Sequence, residues 1–181
     1  TNDAYAIAKI AGIKMCESYN IQYKTNYKCL MPTNTFGPND HYNALNSHFL
    51  PALIKKVHDL KLNNKKELTL WGNGLAKREV IYVDDLADAC IFFMKKSFSG
   101  TTLNIGTGKD FSIKQYAKKI LNKIMPKNKI KIKYDLSKPN GTPRKVLDIK
   151  LANKYGWKPK TKLDEAITKT YLNFLENNKV V

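Results

Sequence analysis

The spacing of apolar residues changes repeatedly along this chain, from three- and four-residue recurrence to short continuous runs, which restricts it to an α/β architecture. Residues 4–19 have helical spacing, and 27–31 form a short buried strand closed by Pro32 and a turn-rich stretch over 35–40. Asn46 and Ser47 can cap a helix over 48–60 whose first turn tolerates Pro51. Strands are predicted over 68–71, ended by Gly72-Asn73-Gly74, and over 80–83; Asp84 and Asp85 then suit the N-terminal dipole of a helix over 86–96. A strand over 102–105 is broken by Gly106-Thr107-Gly108, and Ser112 starts a helix that reaches 124. A strand over 129–134, a short helix over 147–155 closed by Gly156, and an amphipathic helix over 163–176 follow. The buried parallel strands are too few for a complete doubly wound sheet, so half of such a fold is missing.

With 181 residues, 43% of them hydrophobic, the chain can bury one core, or a core and a small lobe. It starts without Met, almost directly in a helical pattern, as would a piece cut from a longer protein. No apolar run approaches the ~20 residues that span a bilayer, and no secretory leader pattern is visible. Cys16, Cys29 and Cys90 lack metal-ligand spacing and sit among apolar residues, which predicts buried, reduced thiols and a cytoplasmic protein.

The net charge of +17 first suggests a polyanionic partner. Lysine is spread along the whole chain, however, often beside Asn, and no basic stripe interleaved with aromatics is evident, which argues against nucleic acid. Arginine is more selective. The two arginines, Arg78 and Arg144, are either bidentate ligands for phosphate or carboxylate, or structural ion-pair partners.

Tyr5 and Lys9 stand four residues apart, on one face of the first predicted helix. A neighbouring ammonium favours the phenolate, so Tyr5 could exchange a proton near neutrality. The pair is common by chance; the small residues Ala6, Ala8, Ala11 and Gly12 beside it permit close approach of another helix or a cofactor. Taken alone, His48 reads as a helix cap, Lys56 and Lys145 as solvated lysines, and Trp71 as core.

With the loop Pro32-Thr33-Asn34-Thr35-Phe36-Gly37-Pro38 that follows, the Tyr-Lys helix resembles the extended short-chain dehydrogenase/reductases. Residues 6–12, Met31-Pro32-Thr33-Asn34, Asn46-Ser47-His48, Trp71-Gly72 with Arg78-Glu79, and Gly141-Thr142-Pro143-Arg144-Lys145 together resemble the GDP-L-fucose synthase family. The resemblance runs from the first residue to about Glu176 and is strong only as a set.

It implies the C-terminal part of a Rossmann-like fold plus a smaller substrate-binding α/β lobe. Residues 1–40 would end the dinucleotide-binding domain. Residues 41–181 would be mainly the sugar-nucleotide lobe, with 80–125 partly returning to the Rossmann sheet. The implied reaction epimerises GDP-4-keto-6-deoxy-mannose at carbons 3 and 5 and reduces carbon 4 with NADPH. Tyr5 would protonate the carbon-4 oxygen, and Lys9 would lower its pKa and hold the nicotinamide ribose. His48 would serve as acid/base in epimerisation, for which an imidazole is suited at neutral pH. The cofactor would lie along Tyr5, Lys9, Pro32, Thr33, Asn34, Thr35 and His48, and the GDP-sugar on Lys56, Trp71, Arg78, Asn140 and Lys145. The resemblance also implies a homodimer of the full-length protein and no membrane partner.

The glycine-rich fingerprint that seats a cofactor pyrophosphate is absent from these residues; Gly106-Thr107-Gly108 lacks its third glycine and its later acid. These residues alone therefore predict no complete enzyme and no metal site. Rival readings are a related nucleotide-sugar 4-epimerase or 4,6-dehydratase and, from another class, a basic nucleic-acid-binding domain.

Overall fold

The computed structural model describes residues 3–43 and 47–177. Its elements are α1 (Asp3–Tyr23), β1 (Cys29–Pro32), β2 (Asn34–Phe36), α2 (Phe49–Leu62), β3 (Glu67–Trp71), β4 (Lys77–Tyr82) and α3 (Val83–Lys95). They continue with β5 (Thr102–Ile105), β6 (Asp110–Ser112), α4 (Ile113–Ile124), β7 (Lys131–Asp135), β8 (Arg144–Lys145), α5 (Lys150–Lys154) and α6 (Leu163–Asn177). The expected α/β class is observed, built largely from parallel strand pairs.

β1 pairs in parallel with β5, and β3 in parallel with β7. In a third group, β4 lies beside β2 in parallel, with antiparallel β6 and the two-residue β8 on its other end. The chain passes from the β1 pair to the β2–β4 pair through the single residue Thr33, whose N–H donates to the Ile105 carbonyl at 3.0 Å. The turn expected over 35–40 is therefore partly strand, because Asn34–Phe36 finds a partner in Val80–Tyr82.

Two apolar cores hold these layers. The larger packs α2, α4 and α6 against β3 and β4 through Leu50, Ile54, Val57, Leu68, Leu70, Val80, Ile120 and Ile167. On α2 and α4 the buried positions recur at three and four residues, the stripe that a helix on a sheet requires. The second core joins α3, α5 and the β1–β5 pair through Ile81, Phe93, Leu103, Ile105 and Trp157.

Local chemistry sets several boundaries. Ser112 accepts from Gln115 N, and the Gln115 side chain accepts from Ser112 N, a capping box that starts α4 where the sequence predicts. His48 occupies the N-cap of α2 with no side-chain cap bond, so the capping role that its position suggests is not performed. Of the Asn46–Ser47 cap that the sequence suggests, Asn46 lies outside the described residues, and Ser47 stands one residue before the N-cap. Asp85 accepts from Lys160 N and Thr161 N, so it ties the 160–161 loop to α3 as well as facing the helix dipole.

The expectation of three buried thiols is wrong. Cys90 is exposed, and Cys16 and Cys29 are half-buried beside one another. Burial, then the neighbouring Cys16, raises the Cys29 thiol pKa. For Cys16 the reason is that α1 has no buried residue among those described; Cys90 lies off the face of α3 that buries Ala89 and Phe93. No helix among the described residues is long and apolar enough to cross a membrane.

Candidate nucleotide-sugar site

Trp71 ends β3. Strand alternation buries Leu68 and Leu70 and turns Trp71 outward, leaving it 53% exposed, so it is not a core residue. The Lys56 ammonium, carried by α2, lies 5.3 Å from the Trp71 ring centre. Burial lowers the Lys56 pKa, so this is not a fully solvated lysine. Both line a cleft of about 300 Å³ with Asp59, Asn63 and Thr69.

After Trp71 the chain turns through Gly72, at φ +63°, to Asn73, whose N–H donates to Asn140 Oδ1 at 2.7 Å. Asn140 thus brings the 139–143 segment against the tip of β3. A carboxylate could accept the same N–H; the amide retains a donor as well.

Arg78 stands within β4, two residues earlier than the strand start that the sequence predicts. Its Nη1 donates to the Lys77 carbonyl at 2.7 Å and the Thr142 carbonyl at 2.5 Å. These bonds anchor one nitrogen of the guanidinium to two carbonyls, while Nε and Nη2 have no hydrogen-bond partner among the described residues. Arg78 also pairs in register with Lys145 of β8, which puts both cationic side chains on one face of the sheet. The two arginines differ. Arg144 Nε binds Asp110 Oδ2 at 2.5 Å and holds that carboxyl below the usual range, which makes Arg144 an ion-pair residue.

Lys56 and Trp71 thus share one cleft between α2 and β3, and the 140–145 segment that follows β7 reaches the end of β3 through Asn140 and β4 through Thr142 and Lys145. Sequence reasoning missed two participants. Lys138 lies 5.8 Å from the Trp71 ring centre, and buried Glu79 binds the loops around Arg78. The signal for Glu79 was an acid set between Arg78 and the apolar run Val80–Tyr82 of β4.

Lys9 Nζ lies 5.2 Å from the Tyr5 ring centre on α1, so the predicted pair shares a helix face. Tyr5 is 67% exposed and Lys9 is exposed, so both are available to a ligand. His48 is exposed, and no described contact joins it to Tyr5 or to the Arg78 group. In the loop after β1, Thr33 Oγ1 and Asn34 Nδ2 both donate to the Glu79 carbonyl, and Thr35 Oγ1 donates to the Thr33 carbonyl. Those side chains are spent on holding the loop. Pro32–Thr35 can therefore offer a cofactor mainly a surface, while the polar side-chain atoms of Tyr5 and Lys9 have no hydrogen-bond partner among the described residues.

Residues 1–106 match the sequence model of the NAD dependent epimerase/dehydratase family. The chain belongs to that family. Its similarity to individual epimerase/dehydratase relatives extends past the matched segment. It is 42% identical over 177 residues to GDP-L-fucose synthase 1 of Arabidopsis thaliana, covering 98% of this chain and 54% of that protein. Against GDP-L-fucose synthase of Escherichia coli (strain K12) identity is 41% over 186 residues, covering 98% and 57%. The chain therefore spans about half the length of the curated relatives it matches. Among solved structures, a GDP-L-fucose synthetase from Naegleria fowleri bound to NADP superposes with a TM-score of 0.88 at 26% identity, over 100% of this chain and 58% of that one.

Proposed function

We propose that this chain forms the sugar-nucleotide-binding part of an epimerase/reductase that converts GDP-4-keto-6-deoxy-mannose to GDP-L-fucose. The observations that support the proposal are pairwise: Lys56 lies over the Trp71 ring, Asn140 accepts from Asn73 N–H next to that strand's end, and Arg78, bonded to the Thr142 carbonyl, is in register with Lys145. A diphosphate needs cationic donors, and an exposed indole offers an apolar face for sugar or base. The names carried by the similar proteins support the GDP-sugar, and the NADP bound by the Naegleria protein supports NADP as the nucleotide cofactor.

NADPH, when bound, supplies the hydride that reduces carbon 4. Tyr5 donates its phenolic proton to the carbon-4 oxygen, and Lys9, four residues on, holds the nicotinamide ribose. His48 returns a proton to carbon during epimerisation, a task suited to an imidazole that makes no cap bond to the described residues of its helix. Residues 1–40 act as the end of the dinucleotide-binding domain, and 41–181 mainly as the sugar-nucleotide lobe, with 80–125 partly rejoining the Rossmann sheet. A homodimer of the full-length protein in the cytoplasm completes the reading.

Calorimetry of GDP binding to the chain tests the proposal. The Arg78 guanidinium keeps two nitrogens for a diphosphate, and a charge-assisted bond is worth about 1.5–3 kcal/mol, or roughly ten- to hundredfold in affinity. Arg78→Lys keeps the charge and loses the planar fork, so it should weaken binding nearly as much as Arg78→Ala. Equal affinity in all three proteins rejects the assignment.

A further inference from the structure

Glu79 is completely buried, at 0% exposure, in the middle of β4. Its Oε1 accepts from Thr107 N at 2.5 Å and Gly108 N at 2.6 Å, and its Oε2 accepts from Leu147 N at 2.7 Å. Its backbone carbonyl accepts from Thr33 Oγ1 at 3.2 Å and Asn34 Nδ2 at 2.9 Å. One residue therefore ties together the loop after β1, the Gly106–Gly108 loop and the backbone just beyond β8.

The Gly106-Thr107-Gly108 turn has the successive N–H groups of an anion-binding nest. In this protein the nest is filled from inside, by a carboxylate. Gly106 leaves the room: a Cβ there would collide with the Glu79 carboxyl. A buried carboxylate is costly unless several donors satisfy it, and three N–H groups from two separate loops do so here. The loops are thereby drawn to β4, and with them β8. Leu147 lies two residues past Lys145, which is in register with Arg78, the residue next to Glu79.

We propose that Glu79 is a positioning residue: its carboxylate clamps the start of the 147 segment to β4 and so sets the spacing between Arg78 and Lys145, the two cations that would grip the diphosphate. The inference rests on the nucleotide-sugar reading above. Substitution by Gln is nearly isosteric and tests the clamp directly. Gln has one acceptor oxygen, so it can satisfy either the Thr107–Gly108 side or Leu147, and its amide N–H₂ then opposes the N–H groups on the other side.

The experiment uses the 181-residue chain with Glu79→Gln, Glu79→Asp and Arg78→Lys, and with Glu79→Gln combined with Arg78→Lys. Hydrogen exchange at Thr107, Gly108 and Leu147 reads the clamp without any ligand, and GDP calorimetry reads its effect on the site. Glu79→Gln should lose exchange protection on one side of the carboxyl and bind GDP about tenfold more weakly. Glu79→Asp, which keeps both acceptors, should recover part of that loss. In the Arg78→Lys background, Glu79→Gln should cost far less than tenfold, because a residue acting through Arg78 is not additive with it. Additive losses, or undiminished GDP affinity in Glu79→Gln, overturn the inference. If the unsubstituted chain does not bind GDP, the nucleotide-sugar reading fails instead; unchanged protection at all three amides then refutes the clamp on its own.

Discussion

The Lys56 ammonium and the Trp71 indole, from α2 and β3, face one another at 5.3 Å across the cleft between helix and strand. The Lys138 ammonium reaches the same ring at 5.8 Å from the loop beyond β7. An aromatic face attracts a cation through its quadrupole, so Trp71 helps to hold two positive charges that would otherwise repel.

Burial favours the neutral Lys56 amine, so as pH rises its proton leaves below the usual lysine range and the contact with Trp71 weakens. Trp71 emission should therefore change in that alkaline window, while Trp157, which is buried and bonded to Asp88 through its indole nitrogen, should not respond. Lys56→Met should remove the transition and Lys138→Met should leave it. An unaltered profile in Lys56→Met contradicts the assignment.

Gly72 and Gly100 make a controlled pair. Both have positive φ, +63° and +81°, but a Cβ on Gly72 would lie 3.1 Å from the Asn140 Cα, whereas one on Gly100 meets nothing within 4 Å. Alanine at either position should cost about 1–2 kcal/mol of stability from the left-handed backbone. Gly72→Ala should cost more and also weaken GDP binding, because the Asn140 segment must move. Denaturant midpoints and calorimetry separate the two effects; equal behaviour of the variants would show that the Asn140 contact is dispensable.

His58 of α2 bonds Tyr171 Oη at 3.1 Å through Nδ1, and its ring packs 4.9 Å from that of Phe174. Burial lowers its pKa; Asp59 opposes this, and Lys55 and Lys61 add to it. The folded state thus binds the proton less tightly than the unfolded chain. The stabilisation is present above the ordinary imidazole value, is lost as pH falls from there to the lowered folded value, and then levels off. Melting temperature should fall as pH drops below the ordinary imidazole value of about 6.5, and His58→Phe should flatten that slope. The same slope in the variant would move the effect to another group.

Much of the helical framework is legible from local sequence. The stripe over α4 and its Ser112–Gln115 box need no tertiary partner to be recognised, and the boundaries of β5 follow from Thr102–Ile105 lying between turn residues. β2, β6 and β8 are two or three residues long, too short to carry a period. They exist because β4 offers them hydrogen bonds, which depends on where the chain has been folded.

The sequence by itself determined the α/β class and the Tyr5–Lys9 face, because helical spacing and strand runs are encoded among near neighbours, whereas Lys56, Trp71, Arg78, Asn140 and Lys145 stood out as a set only through the family resemblance. Only the tertiary structure decided that Trp71 is exposed, that Arg144 is tied to Asp110, and that the Gly106–Gly108 turn is filled by Glu79. Residues 28 and 68 positions from Glu79 supply the N–H groups that make its burial possible. Pairings over such separations follow from packing, since a buried carboxylate is tolerated only where the fold brings its donors to it.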